Sequence, residues 1–234
     1  MRAVLGRSAS NLVLDAIEAE STIGFRIHSK TVDLERGDVL CNAGDRLRHA
    51  LFPLGCVLST LATLADGSSL EVNVVGREGA YGILGGLGSG EAGARVVVLV
   101  GGKAARVPMR HVREEFERSQ RVRTMIVRHF ENLLFQMQQS AVCAARHSVE
   151  ERLSRWLLAI HDRAPGTLRF THEVAASHLG ANRTSVTLAA AALQRAGLIT
   201  YRRGVLSIND RAGLEDSACE CYRAIKDRVG RLFR

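Results

Sequence analysis

From Arg110 to His147 the chain contains neither proline nor glycine, and no other feature narrows its possible folds so far. An unbroken run of that length, entered just after Pro108, predicts a long α-helix. Apolar or small side chains recur at Val122, Ile126, Leu133, Ser140 and Ala144, and His129, Gln136 and His147 fill the same stripe. Neighbours in the stripe are three or four residues apart, close to a heptad repeat. Polar residues inside such a stripe act as register-setting positions, which favours a two-stranded seam over a helix packed on its own domain. Val122, Ile126, His129, Leu133, Gln136, Met137, Ser140 and Ala144 are therefore the expected contacts of a homodimer, with residues 110–147 as its dimerisation helix.

Before Pro108 the texture changes. The runs ALFPL (50–54), VLSTLATL (57–64), SLEVNVV (69–75), RVVVLV (95–100) and AARVP (104–108) are divided by glycine-rich turns. Asp66-Gly67 lies between two of them and signals a hairpin, because such a turn needs positive φ. Many short strands at this spacing predict a sandwich, barrel or β-roll across residues 1–109. The glycine-rich stretch 76–93 predicts a loop with a short helical turn.

Composition excludes several classes. With 46% hydrophobic and 24% charged residues, the chain has the balance of a soluble protein with enough apolar surface to bury cores. It holds no run of about eighteen apolar residues, so no membrane span is expected. Residues 1–20 lack a long apolar core before a small-residue cleavage site, which argues against a secretory signal and for a cytoplasmic location. The five cysteines, 41, 56, 143, 219 and 221, are odd in number and form no C-x-x-C pair. Reduced thiols are expected rather than a disulfide framework. The net charge of +8 points weakly to an anionic partner. Its distribution says more: residues 168–209 hold Arg169, Arg183, Arg195, Arg202 and Arg203 against Glu173 alone, half of the whole excess.

That basic segment lies in residues 148–234, after an amphipathic helix over Val149 to His161 that the Ala164-Pro165-Gly166 break ends. Thr171 is placed to cap a helix reaching Leu179, and Gly180 to end it in a left-handed turn. Asn182 then caps a second helix from Arg183 to about Arg195. Ala176, small and four residues before Gly180, lets the two helices cross closely. Val186, Ala189, Ala190 and Leu193 share one face of the second helix. Arg183, Thr184, Thr187 and Leu188 are left near the start of the other, where a recognition helix meets base edges of double-stranded DNA. Arginine suits guanine, and threonine and leucine methyls suit the thymine methyl. Asn182 and Ser185 are placed for phosphate oxygens. Tyr201-Arg202-Arg203-Gly204 is a tight turn between two short strands, a wing whose arginines face phosphate. The expected architecture is α+β: a β-roll, a long dimerisation helix and a winged helix-turn-helix.

In this order of parts the chain resembles the CRP/FNR regulators, whose first domain is a cyclic-nucleotide-binding-like β-roll. HLGANRTSV (178–186) is similar to the family's Gly-x-Ser-Arg-x-Thr-Val: Gly180, Arg183 and Val186 match, while Asn182 replaces serine and Ser185 replaces threonine. The resemblance implies a homodimer on a palindromic operator, RNA polymerase as a partner, Arg183 as a guanine reader, and Thr171 and His172 as phosphate contacts. It also shows departures. Thr184 stands where the family has a glutamate and Leu188 where it has a second base-reading arginine, so the usual half-site is not expected. In the effector pocket, Gly82-Ile83-Leu84 stands for the Gly-Glu-Leu that binds ribose, Arg95 for the phosphate arginine and Met137 for the position contacting the base. Isoleucine accepts no hydrogen bond from a hydroxyl, so cyclic AMP is not the expected effector and the effector is unknown. No N-terminal cysteine cluster suggests an iron–sulfur sensor, no haem ligand stands out, and no cofactor is expected.

Two other classes fit less well. A cupin-like metalloenzyme needs a His-x-His pair with further ligands, and between Phe25 and Pro108 only His28 and His49 occur. A protein–protein adaptor built on the β-roll would not require the recognition helix or the wing arginines. Cys219 and Cys221, read as part of one C-terminal helix, point to different faces, which argues against a metal clip or redox pair. No metal site and no catalytic residue are expected.

Overall fold

The computed structural model describes residues 10–21 and 24–232. It divides into two compact units, one of residues up to 60 with 75–133, the other of residues 61–74 with 134–231.

The first unit opens with α1 (Leu12–Glu20). Asn11 caps it through Oδ1, which accepts from the Leu14 N–H at 2.9 Å, while its amide donates to the carbonyls of Pro53 and Gly79. One fully buried side chain thus satisfies a helix end and two loop carbonyls. The helix is nine residues long, too short for its apolar face of Val13, Leu14 and Ile17 to show a period in the sequence.

Seven strands follow: β1 (Lys30–Leu34), β2 (Val39–Cys41), β3 (His49–Pro53), β4 (Val57–Thr63), β5 (Ser69–Val75), β6 (Arg95–Val100) and β7 (Gly102–Pro108), with the short α2 (Ile83–Leu87) between β5 and β6. They form two sheets, β1-β7-β3 and β2-β6-β4-β5. This is the expected roll, and the five apolar runs fall on β3 to β7. One core cluster joins Leu14, Ile17, Phe52, Ile83 and Val107 with Val122 and Ile126; another joins Cys41, Leu58, Val96 and Val98, with Leu133 packed against it.

The expected long helix arrives in two pieces, α3 (Met109–Arg118) and α4 (Gln120–Arg146). Ser119 breaks the run with φ −109° and ψ 115°, and its Oγ accepts from the Val122 N–H at 3.2 Å. A capping serine had been read as one more helical residue.

Much of the stripe expected to meet a partner chain is buried within the chain itself. Val122, Ile126 and His129 are fully buried inside the chain, and Gln136 and Ser140 nearly so. Val122 and Ile126 belong to the roll's own core, and His129 Nε2 lies 3.2 Å from the Ala80 carbonyl. Met137 and Ala144 are half-buried. The large apolar side chains that α4 exposes are Val127, Leu134 and Val142, between 48% and 57% accessible.

The second unit contains α5 (Val149–Arg163), β8 (Leu168–Arg169), α6 (His172–Leu179), α7 (Arg183–Arg195), β9 (Ile199–Arg202), β10 (Val205–Ile208), α8 (Arg211–Ser217) and α9 (Cys221–Leu232). A capping box between Ser148 and Glu151 starts α5. Trp156 anchors the core, wholly buried and edge-on to Phe170 at 4.9 Å. The strands order as β8-β10-β9. The tip of the β4–β5 hairpin belongs to this unit: Glu71 Oε2 is 2.7 Å from His178 Nδ1, with both side chains buried, and Ser69 Oγ is 2.6 Å from Ser177 Oγ. No helix among the described residues is long and apolar enough to cross a membrane.

Candidate nucleic-acid interface

Capping chemistry positions the two helices of the reading head. Thr171 Oγ1 accepts from the Val174 N–H at 3.2 Å and starts α6. Gly180 ends it in the left-handed region at φ 56°, where a side chain would also meet Leu70 at 2.9 Å. Asn182 Oδ1 accepts from the Ser185 N–H at 2.8 Å and starts α7. Each cap falls on the residue expected from the sequence.

α7 is two-faced. Val186, Ala189, Ala190 and Leu193 are buried, while Arg183, Thr184, Thr187 and Leu188 are exposed. Leu188 leaves 66% of its surface accessible. Asn182 is exposed and Ser185 partly so.

The wing is a two-residue hairpin in which Val205 pairs with Arg202. Arg203 and Gly204 both take positive φ, 51° and 79°, the combination of a type I′ turn. Arg203 is the one non-glycine residue with positive φ among those described. The turn leaves Arg202 and Arg203 exposed.

His172 Nδ1 lies 2.9 Å from Thr187 Oγ1, and since that hydroxyl donates to the Arg183 carbonyl, the imidazole is the donor. The ring stacks on Tyr201 at 4.5 Å, and Nε2 is buried without a partner. Burial, and secondarily the Arg183 charge, hold its pKa below the ordinary value. The imidazole is thus engaged within the reading head. It braces α6 against α7 and the wing, and fixes the Thr187 hydroxyl.

The residues assigned to an effector pocket do not share one environment. Ile83 is 1% exposed and sits in the roll's core, whereas Leu84 is 56% exposed and Arg95 is open to solvent. Gly82 takes φ 90°, with no room for a Cβ beside the His49 carbonyl, and Met137 belongs to the other unit. A groove of about 780 Å³ does occur in the first unit, but Ala16, Glu20, Arg118, Arg121, Met125 and Arg128 are among its lining residues and none of the assigned ones are.

This geometry defines the class: a winged helix-turn-helix with an exposed, basic recognition helix. Residues 151–217 match the model of the Crp-like helix-turn-helix domain. No curated protein matches the chain significantly. Among solved structures, FixK2 from Bradyrhizobium japonicum is similar, with TM-score 0.69, 12% identity, and coverage of 82% of this chain and 98% of that one. A transcriptional regulator of the CRP/FNR family from Eubacterium rectale gives TM-score 0.67 at 17% identity, covering 85% and 92%. A CRP-family transcriptional regulator from Thermus thermophilus gives 0.65 at 20%, covering 81% and 96%. At such identities these structures establish the fold, and the domain match establishes the reading head. Residues 151–217 are thus a Crp-like helix-turn-helix domain, in a chain whose fold is that of solved CRP/FNR regulators.

Proposed function

We propose that this regulator binds a palindromic operator as a homodimer, reads bases through Arg183, Thr184, Thr187 and Leu188, and acts without cyclic AMP. The observation that carries the reading is the two-faced α7: its apolar side is spent on the core, leaving a polar, leucine-bearing face at the end that enters a major groove. Arg202 and Arg203 on the wing, with Thr171, Asn182 and Ser185 at the helix starts, serve phosphate oxygens.

Val127, Leu134 and Val142 on α4 supply the dimer contact in this reading, since they lie seven and eight residues apart, close to a heptad repeat, and are exposed. A homodimer supplies two recognition helices for the two half-sites of a palindrome. Independence from cyclic AMP rests on the sequence resemblance, which sets Ile83, a side chain that accepts no hydrogen bond, at the ribose-binding glutamate. RNA polymerase is the protein partner that this reading implies. Genome-wide mapping of sites bound by the tagged protein tests the proposal. A shared inverted repeat is expected, and binding without a common motif would contradict it.

A further inference from the structure

Cys143 and His147 lie one helical turn apart near the end of α4, and Cys219 and Cys221 flank the start of α9. One continuous helix would turn Cys219 and Cys221 to different faces. In the structure α8 ends at Ser217, residues 218–220 are non-helical, and α9 begins at Cys221. The break turns both thiols the same way. Cys143, Cys219 and Cys221 form a buried cluster, and the ligand atoms of all three, with one ring nitrogen of His147, lie within 4.8 Å of one another.

We propose that Cys143, His147, Cys219 and Cys221 bind a single zinc ion, a closed Cys3His site that fastens the end of α4 to the α8–α9 turn. Bond lengths of about 2.3 Å to sulfur and about 2.0 Å to nitrogen imply tetrahedral edges of about 3.8 Å between sulfurs and about 3.5 Å from sulfur to nitrogen. Cys143 Sγ lies 3.5 Å from Cys219 Sγ, and Cys221 Sγ lies 3.6 Å from His147 Nδ1. The outer groups fit as well. His147 Nε2 is 3.1 Å from Glu220 Oε2, so a carboxylate orients the imidazole with Nδ1 toward the ion, as histidine ligands of zinc are commonly held. Gln139 Nε2 donates to Cys221 Sγ at 3.2 Å. Glu220 sits between the two cysteines, so one tripeptide supplies two ligands and the support for a third.

Charge favours the same assignment. Three thiolates and one divalent ion carry a net negative charge, and α5 brings two arginines to it. Arg152 is buried and within electrostatic range of Cys143 and Cys219. Arg155 acts on Cys143, and its Nε is buried without a partner. Simple apolar packing of thiols gives no reason for two arginines, a histidine and an amide to converge on them. On binding, zinc displaces the remaining thiol protons to solvent and forms three metal–sulfur bonds and one metal–nitrogen bond, with no change of oxidation state. Four protein ligands leave no open position, so the site is structural. A two-iron cluster divides its ligands between two metals, whereas these four converge on one point.

The test uses the full-length protein, purified under reducing conditions and passed through gel filtration without added metal, with its metal content measured by mass spectrometry. One zinc per chain is expected. Anaerobic replacement by cobalt(II) should give the strong visible bands of a tetrahedral thiolate site. Cys219→Ser and His147→Asn should each lose the metal and the cobalt spectrum, while Cys41→Ala, in the first unit, should keep both. Absence of zinc together with no cobalt spectrum from the reduced chain would overturn the proposal whatever the variants do. Iron with acid-labile sulfide, or a Cys143–Cys219 disulfide in place of metal, would overturn it equally. None of these readouts involves DNA, so the operator-binding reading stands or falls separately.

Discussion

Arg183 and the Arg202–Arg203 pair carry the same charge yet are placed to fail differently. Arg183 stands at the first turn of α7, where a bidentate contact to guanine discriminates by about 1–3 kcal/mol. Arg183→Ala should therefore lose specific binding, retain much of the non-specific affinity and relax the preference at one base pair per half-site. Replacing Arg202 and Arg203 together should weaken matched and scrambled DNA alike. It should also flatten the slope of log affinity against log salt by about one to two per protomer. Gel-shift titrations on both DNAs at several salt concentrations separate the two outcomes. If Arg183→Ala weakened both DNAs equally, that arginine would be a phosphate clamp. His129 carries a different prediction. Its burial beside Ala80 holds its pKa below the ordinary value of 6.5, so the folded chain keeps it neutral. As pH falls through about 6.5, the unfolded chain takes up a proton that the folded chain does not. Stability is therefore full above that value and declines as pH drops toward the folded pKa, by at most about 1.4 kcal/mol per pH unit for this group. His49, His161 and His172 are shifted in the same direction and add to the slope. Denaturant unfolding at about pH 7.5 and about pH 5.5 should show the loss, and His129→Gln should reduce the difference between them. An unchanged difference would count against a neutral, buried His129.

At the scale of elements, local chemistry was legible wherever a cap or a turn announced itself. Thr171, Gly180 and Asn182 fixed both helices of the reading head to the residue, and Gly204 marked the wing turn. α4 was less legible for a specific reason. Its inward face repeats every three or four residues and includes His129, Asn132, Gln136 and Ser140, polar groups buried within the chain. Polarity in a stripe looks the same whether it sets register against a partner or is buried within its own chain. On the other side Val127, Leu134 and Val142 are apolar and exposed. Glutamate at Val127 and Leu134 together should shift the protein from dimer to monomer in sedimentation at micromolar concentration while leaving each chain folded. Leu133→Glu should instead lower stability by several kcal/mol, because that side chain packs on a core cluster. A double variant that still sediments as a dimer would remove α4's outer face from the interface. Cys219 and Cys221 failed for the opposite reason: the helix break at 218–220 has no glycine or proline to reveal it, so a periodic argument was applied across a turn.

For the whole molecule, the β-roll followed by helices and a winged reading head was readable from texture alone, through alternating strands, a breaker-free run and a basic, well-capped tail. What escaped was whatever depends on residues far apart in sequence. Asn11 holding Pro53 and Gly79, Glu71 meeting His178, and the four ligand atoms gathered from residues 143–147 and 219–221 are visible only when the chain is folded. The residues aligned to an effector pocket likewise have separate surroundings in the fold, with Ile83 in the core. The central claim, that α7 reads bases for a two-fold symmetric regulator, is tested most directly by selecting the DNA that the purified full-length protein binds from a randomised duplex pool. An inverted repeat should be enriched, with half-sites about 10 base pairs apart from centre to centre, and the Arg183→Ala protein should lose information at one symmetric pair of positions. Enrichment of a single unrepeated site, or of no motif at all, would contradict it.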